Sequence, residues 1–435
     1  MNKPTSSWCR SCGGSALTTI LDLGRQPIAN ALLEPEKLCE VEERFPLRVV
    51  FCQSCSLVQI AETIPPTVLF GSDYPYFSSF SPALLAHSRT HAVSLIKERR
   101  LGSNSLVIEV GSNDGYLLKT FVEAGIPVLG IDPASGPAAE AERAGVRTRV
   151  AFFDNSIARD LVRDGCVADV VIANNVLAHA EDINSFLHGI AMLLAEDGIV
   201  RFEIPYLRDL IEACEFDTIY HEHVFYFSLS ALEPLFTRHR LHLTDVERLD
   251  IHGGSLRLTA RKTPGASDRL KALRAEEVEL GMSSLTYYAP FGQRVVALRD
   301  ELRSLILELT AQGASVAAYG AAAKGAMLLN YIGIDGKTLP YVVDRNVHKV
   351  GKLMPGLKLP IQPVDTLVHN RPDYLLLLTW NFANEIMEQQ RGYAELGGRF
   401  IIPIPSPLVF ELEPASGPGS DHRKYVLKRA FKGAP

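Results

Sequence analysis

Two rhythms of apolar and polar residues run along the chain. From Ser105, SLVIEVGSNDGYLLKTF reads as an apolar run, a turn carrying glycines, and then a helical spacing beginning near Tyr116. That order predicts a strand, a turn and an amphipathic helix. Further apolar runs follow in IPVLGIDP (126–133), RTRVAFFD (147–154), ADVVIANN (168–175) and GIVRFEIPYL (198–207), each short enough for a buried strand. Around residues 280–312, VVALRDELRSLILEL repeats its apolar positions at helical spacing and predicts a long amphipathic helix. A second strand, turn and helix follows in SVAAYGAAAKGAMLLNYIG, and LPYVVDRNVHKVG adds a strand ending at Asp344. Strands alternating with helices predict an α/β fold.

With 435 residues, the chain exceeds one ordinary core and suggests two or three domains. Its 47% hydrophobic and 22% charged residues are those of a globular protein. The net charge of -6 and the lack of a long Lys/Arg run argue against a nucleic-acid surface. The N-terminal stretch has no apolar core of a secretory signal. The most apolar-looking stretch, from Ser315, is interrupted by Lys324 and several glycines, which argues against a membrane span. A cytoplasmic protein is expected, and its seven cysteines read as reduced thiols rather than a disulfide framework.

Four of those cysteines form two CxxC pairs, Cys9 with Cys12 and Cys52 with Cys55, with 39 residues between the pairs. Two such knuckles can bring four thiolates to one tetrahedral zinc, and a site filled by four protein ligands is structural. The long intervening loop, with Leu21-Asp22-Leu23-Gly24 and Cys39, is expected to do more than join the knuckles. Cys39, Cys166 and Cys214 have no paired spacing and read as packing residues. YHEHVFYFS (220–228) places His221 and His223 two apart, where the HExxH metal motif needs four. A strand could still turn both to one side, so metal site, proton-transfer site and polar turn all remain open on spacing alone.

The strand ends also carry suitable groups for a ligand. Gly111 sits in the first turn, and Asp132 ends the next strand about twenty residues on, where an acid can accept from ribose hydroxyls. Phe152, Phe153 and Asp154 follow the third strand and suit an adenine edge. Asn174 and Asn175 follow the fourth, ahead of His179. This order of elements resembles the class I S-adenosylmethionine-dependent methyltransferases. The resemblance implies a cofactor set of Glu109, Gly111, Ser112, Asn113, Gly115, Asp132, Pro133, Phe152, Phe153 and Asn174.

A narrower resemblance covers nearly the whole chain. It rests on the two knuckles, DYPYFSSFS (73–81), EVGSNDG (109–115), NNVLAHAED (174–182), YHEHVFYFS, HGGSLR (252–257) and YGAAAKG (319–325), in that order. The chain resembles the sugar C-methyltransferases, which act on nucleotide-linked 4-keto sugars. Methylating the carbon beside a ketone needs a base for the α proton and stabilisation of the enolate. Histidine suits the first task because its pKa lies near neutrality, so His223 is expected as the base, Glu222 as the carboxylate that positions it, Tyr220 as a hydroxyl for the sugar or enolate oxygen, and His179 as the competing base. The resemblance implies that all four line the active site without fixing which takes the proton. The reading of YHEHVFYFS becomes a proton-transfer site rather than a metal site. Tyr74 and Tyr76 are expected to reach the active site as a lid, or else to form an apolar hinge.

In the second strand-turn-helix, GAAAKG has Ala322 where GxGxxG needs a glycine for the pyrophosphate. This weakens the rival reading of a NAD-dependent sugar oxidoreductase. Lys324 offers a charge to a phosphate instead, and the resemblance assigns this part to sugar-nucleotide binding, with Lys324 matching the family's lysine. Arg294 is a second candidate for the diphosphate, and Asn381 and His348 are further candidates. A second rival is a zinc-bearing binding module without chemistry. The expected domains are a zinc-binding domain at 1–68, a methyltransferase domain at 69–275 and a Rossmann-like domain at 276–435. Expected partners are S-adenosylmethionine, structural zinc and a dTDP- or GDP-linked sugar, with no nucleic acid or membrane, in a monomer.

Overall fold

The computed structural model describes residues 7–69, 77–80, 82–251, 253–413 and 425–428. The chain divides into two compact units, each assembled from three segments. The first comprises Met1–Ile20, Val49–Arg208 and Glu222–Ala289. The second comprises Leu21–Arg48, Asp209–His221 and Pro290–Pro435. The loop between the knuckles thus belongs with the C-terminal part, and the chain changes unit between His221 and Glu222.

The N-terminal strands are β1 (Leu17–Gln26), β2 (Phe45–Cys52) and β3 (Val58–Ile60). They are followed by β4 (Val107–Val110), β5 (Val128–Asp132), β6 (Thr148–Val150), β7 (Ala168–Asn174) and β8 (Leu194–Pro205). After them come β9 (Phe225–Tyr226), β10 (His242–Leu249) and β11 (Ser255–Arg261). The small sheet runs β1-β2-β3-β9, so the two-residue β9 joins the strands that flank the cysteines. The large sheet of the first unit runs β10-β11-β8-β7-β4-β5-β6. β4 is parallel to both β5 and β7, while β11 is antiparallel to its neighbours. The strand order therefore reverses at β4 and opens a crevice at the carboxyl ends of β4 and β7, where such sheets bind ligands.

The apolar runs become these strands because both faces of the sheet are covered. Val107, Ile108, Val170, Val171 and Ile172 are all fully buried, as a parallel sheet between helices requires. The third run is shorter than its sequence suggests. β6 stops at Val150, and Asp154 instead caps the helix Asn155–Arg163, its carboxylate accepting from the amides of Ser156 and Ile157.

The second unit carries β12 (Val316–Tyr319), β13 (Val342–Asp344), β14 (Ile361–Pro363), β15 (Tyr374–Leu377), β16 (Arg399–Ile402), β17 (Leu408–Leu412) and β18 (Tyr425–Lys428). Their order is β14-β13-β12-β15-β16-β17-β18, parallel except at the last two pairings. Here the reversal falls at β12, whose turn is GAAAKG. The expected long helix is present as Phe291–Ala311, burying Val295, Leu298, Leu302 and Leu309 on one face. Among the described residues, no helix is long and apolar enough to cross a membrane.

One buried charge ties the large sheet to the helix Pro82–Arg99. Glu203 on β8, 1% exposed, faces Arg257 on β11, which donates to it from Nε at 2.8 Å. His87 Nε2, from the helix, lies 2.9 Å away, and His91 Nδ1 is 3.6 Å away. Burial alone would raise the Glu203 carboxyl, but the His87 hydrogen bond and the Arg257, His87 and His91 charges bring it down to about 2. Against an ordinary value of 4.5, its stabilisation is complete above about pH 4.5 and is lost as pH falls towards 2. That difference corresponds to about 3 kcal/mol. Glu203→Gln should therefore lower stability by about 3 kcal/mol at neutral pH and flatten the acid limb of the stability profile. Urea unfolding followed from pH 7 down to pH 3 tests this, and equal slopes in the two proteins would refute it.

Candidate active site and zinc centre

The glycines of the first turn are required by the backbone. Gly111 has a φ of +74°, and a Cβ there would lie 3.0 Å from the Val176 side chain. Asn113 also takes positive φ, at 48°, a conformation asparagine tolerates better than most residues. Asp132 holds this turn closed: one carboxylate oxygen accepts from the Asn113 amide at 2.8 Å and the other from the Ala134 amide at 2.9 Å. Each oxygen keeps a second lone pair for a ligand hydroxyl. Burial is the main reason its carboxyl is raised, with those two amides opposing the rise.

Around the crevice, several buried polar atoms have no partner. They are both Glu109 carboxylate oxygens, Ser112 Oγ, Asp114 Oδ1 and Asn174 Oδ1. Glu109 is 1% exposed, and burial, then the charges of Asp132, Asp114 and Glu203, hold its carboxyl well above the usual range. A polar ligand is the ordinary remedy for such groups. The crevice therefore fits the amino-acid and ribose groups of S-adenosylmethionine. Pro133 is half-buried beside Asp132, and Phe152 is 41% exposed. Phe153 turns instead onto Phe186, ring centroids 5.2 Å apart.

The histidines meet where two turns are joined. The Val224 amide donates to the Ala178 carbonyl at 2.8 Å, and the Val224 carbonyl accepts from the Ile60 amide at 2.9 Å. His223 precedes Val224 and His179 follows Ala178, so one hydrogen bond brings their rings to 4.9 Å between centroids. Backbone groups of Glu222 and Asn175 hydrogen-bond the His179 ring, but desolvation outweighs them and lowers its pKa to about 4. His179 is accordingly neutral at pH 7. Glu222 is buried, and His223 is half-buried beside it. His221 belongs to the second unit, where its ring nitrogen lies 3.1 Å from the Pro46 carbonyl oxygen. The segment is a turn at this point rather than a strand. Tyr220, half-buried, also belongs to the second unit, and Tyr74, Tyr76 and His252 lie outside the described residues.

The cysteines gather as the spacing predicts. All four Sγ atoms lie within 4.8 Å of one another, with Cys9 to Cys55 at 3.6 Å and Cys12 to Cys52 at 3.7 Å. A tetrahedral zinc with bonds of about 2.3 Å needs sulfur separations of about 3.8 Å. The donor set fits zinc, and Cys39 lies exposed outside it.

In the second unit, two of the expected contacts, Lys324 and Asn381, come together. Lys324 lies over the Trp380 ring at 4.1 Å and hydrogen-bonds Asn381. It also faces two acids that sequence reasoning missed, Asp217 and Glu215. Trp380 Nε1 donates to Asp217 at 2.8 Å. Burial takes Lys324 down to about 8, while the two acids pull it back up. Burial likewise raises Asp217 to about 6 and, with the charge of Asp217, raises Glu215 to about 8. Arg294 donates to the Glu212 carbonyl at 2.5 Å, and its charge, like that of Asp217, acts on the buried Cys214 thiol, while His348 is exposed. Asp344 repeats the device of Asp132, accepting from the amides of Ala321 and Asn346 at 2.7 Å each.

Taken together, the reversed sheet, the crevice and the four-cysteine cluster define an S-adenosylmethionine-dependent methyltransferase with a structural zinc site. The chain matches the profiles described as a putative zinc binding domain (residues 9–70), a methyltransferase domain (85–245) and a C-methyltransferase C-terminal domain (250–405). It is 37% identical to the C-methyltransferase NovU of Streptomyces niveus, over 93% of this chain and 97% of that protein. The chain belongs to the sugar C-methyltransferase family. Among solved structures, it is similar to the magnesium protoporphyrin IX methyltransferase of Synechocystis PCC 6803 with bound SAM. That likeness has 15% identity and a TM-score of 0.31, over 40% of this chain and 78% of the other. Another is the complex of the Haloferax volcanii Trm112 activator with a putative methyltransferase, at 16% identity and a TM-score of 0.33, over 41% and 90%.

Replacing Gly111 tests the crevice. Gly111→Ala should weaken S-adenosylmethionine binding at least tenfold by calorimetry and cost about 1–2 kcal/mol of stability. An unchanged dissociation constant would show that this turn does not hold the methyl donor.

Proposed function

We propose that the enzyme methylates C3 of a nucleotide-linked 4-keto-deoxyhexose, most naturally a dTDP sugar. The observation that carries this reading is the His179–His223 pair, two imidazoles set 4.9 Å apart in the methyltransferase unit. His223 removes the proton from the carbon beside the ketone, and the C–H electrons pass into the carbonyl to give an enolate. His179, lowered to a pKa of about 4, is a weaker proton acceptor than an ordinary imidazole, and the base role is therefore given to His223. Glu222 positions His223, and Tyr220 offers a hydroxyl to the developing oxyanion. Glu109, Ser112, Asp132 and Asn174 hold the methyl donor. Bound S-adenosylmethionine supplies an electrophilic methyl on sulfur, which the enolate carbon takes, leaving S-adenosylhomocysteine.

Lys324 serves the diphosphate. At pH 7 Asp217, with a pKa of about 6, is mostly ionised and helps to keep Lys324 charged, while Glu215, at about 8, stays mostly protonated, so the lysine faces about one carboxylate charge and can still donate to an anion. A lysine neutralised by two full carboxylate charges would repel one.

The decisive assay incubates the protein with the methyl donor and a panel of dTDP- and GDP-linked 4-keto sugars, with mass spectrometry of the products. A gain of one methyl for one hydrogen is expected, falling at least about a hundredfold in His223→Asn. Without the donor, in deuterated water, wild type should exchange the α hydrogen and His223→Asn should not. Donor binding with neither methylation nor exchange on any sugar would refute the substrate class. Lys324→Gln should raise KM for the nucleotide sugar about tenfold and leave the donor's dissociation constant unchanged. An unaltered sugar KM would remove Lys324 from the binding site.

A further inference from the structure

Between the first two zinc ligands sits a residue whose side chain leaves the knuckle. Arg10 donates from Nη1 to the Ile60 carbonyl at 2.6 Å and from Nη2 to the Ala61 carbonyl at 3.0 Å. Its amide donates to Gln59 Oε1 at 3.2 Å, and Gln59 is fully buried. These three acceptors lie at the end of β3, the strand that pairs with β9 through Val58–Tyr226 and Gln59–Phe225. The Ile60 amide is also the group that grips the Val224 carbonyl. Ile60 is thus held on its carbonyl by Arg10 and holds, through its amide, the residue next to His223.

The knuckle that carries Arg10 is itself pinned to the methyltransferase core. Asn184 Nδ2 donates to the carbonyls of Arg10 and Ser11 at 2.8 and 3.1 Å. Arg238 Nη2 donates to the Ser11 carbonyl and hydroxyl at 3.1 and 2.5 Å. Asn184 begins the helix Ile183–Leu193, close in sequence to His179, and Arg238 ends the helix Leu229–Arg238, just past β9. The knuckle therefore bridges the elements on either side of the histidine pair. An arginine suits this position because its rigid fork spans two successive carbonyls, which a lysine cannot do.

We propose that Arg10 is a positioning residue for methyl transfer: it fixes the end of β3, and through Ile60 and Val224 sets the distance between His223 and His179. This rests on the reading of His223 as the base. It gives the zinc knuckle a mechanical role in catalysis beyond stabilising the N-terminal segment, since the two ligands flanking Arg10 hold the root of its side chain. The guanidinium itself contacts no reacting group.

The test compares Arg10→Gln and Arg10→Lys with wild type in the full-length, zinc-loaded protein. In Arg10→Gln, kcat should fall at least tenfold while the zinc content, the sugar KM and the donor dissociation constant stay as in wild type. Arg10→Lys should recover only part of kcat. Nitrogen-15 ring resonances of His179 and His223, recorded without substrate, should shift in both variants, a readout that a general loss of stability would not produce. Unchanged ring resonances in folded, zinc-loaded Arg10→Lys would overturn the proposal, as would full kcat in either variant. Should Arg10→Gln not fold, Arg10→Lys decides alone. Hydrogen exchange at the α carbon in His223→Asn separates the two ideas: continued exchange there defeats the base assignment, whereas abolished exchange beside full kcat in Arg10→Lys defeats only the role of Arg10.

Discussion

The two backbone hydrogen bonds of Val224 are the constraint on which the histidine site depends. One joins the YHEH turn to the turn after β7, and the other joins it to β3. Neither involves a catalytic side chain, yet together they determine where His179 and His223 stand. Backbone bonds suit this task because each has one direction and about 2.9 Å of length, whereas a histidine placed by its own side chain could choose between rotamers. The proton transfer proposed for His223 needs that definition, since displacement by about 1 Å costs catalysis heavily.

Burial then shapes the chemistry around that scaffold. His179 is kept neutral by desolvation, and the Glu109 carboxyl is raised well above the usual range by desolvation and by its acidic neighbours. Glu203, equally buried, is kept ionised because an arginine and two histidines surround it. The contrast between Glu109 and Glu203 has one origin: the partners each finds after leaving water. The carboxyl with cationic partners serves the fold, and the one without them is left available at the cofactor crevice.

These differences explain what could be read from the sequence. Strands β4–β8 of the first large sheet, β12 and β13 of the second, and the zinc cluster were legible because apolar runs and CxxC spacing are local patterns, whereas β10, β11 and β14–β18 were not read. His179 and His223 were singled out from their motifs, but their approach depends on a bond between Val224 and Ala178, 46 residues apart, which leaves no mark in composition. Arg10 was invisible for a similar reason: its partners are mainly backbone carbonyls, which every residue possesses. Asp217 and Glu215 belong to no motif, acids are rarely buried unless paired, and only the fold brings Lys324 to them. The division of the chain into interleaved units was also hidden, because the loop Leu21–Arg48 joins the second unit through contacts such as Arg44 with Asn330 and Glu42 with the Gly356 amide.

The two Rossmann-like sheets show how far fold alone determines a site. Each reverses its strand order, each has a glycine of positive φ after its central strand, at Gly111 and Gly320, and each closes its turn with an aspartate on two amides. They diverge in what occupies the opening. The first turn leaves the Glu109 and Ser112 oxygens buried and unpartnered, polar atoms that a bound ligand would satisfy. In the second, Lys349 donates to the Ala321 carbonyl at 2.8 Å, and a Cβ on Gly320 would come within 2.7 Å of Thr379. Its turn is lined by the protein's own side chains, and Lys324 stands beside Trp380 and the buried acids Asp217 and Glu215. The same backbone device thus builds an open crevice in one unit and a self-satisfied turn in the other, and the side chains around each turn decide which ligand chemistry it can take.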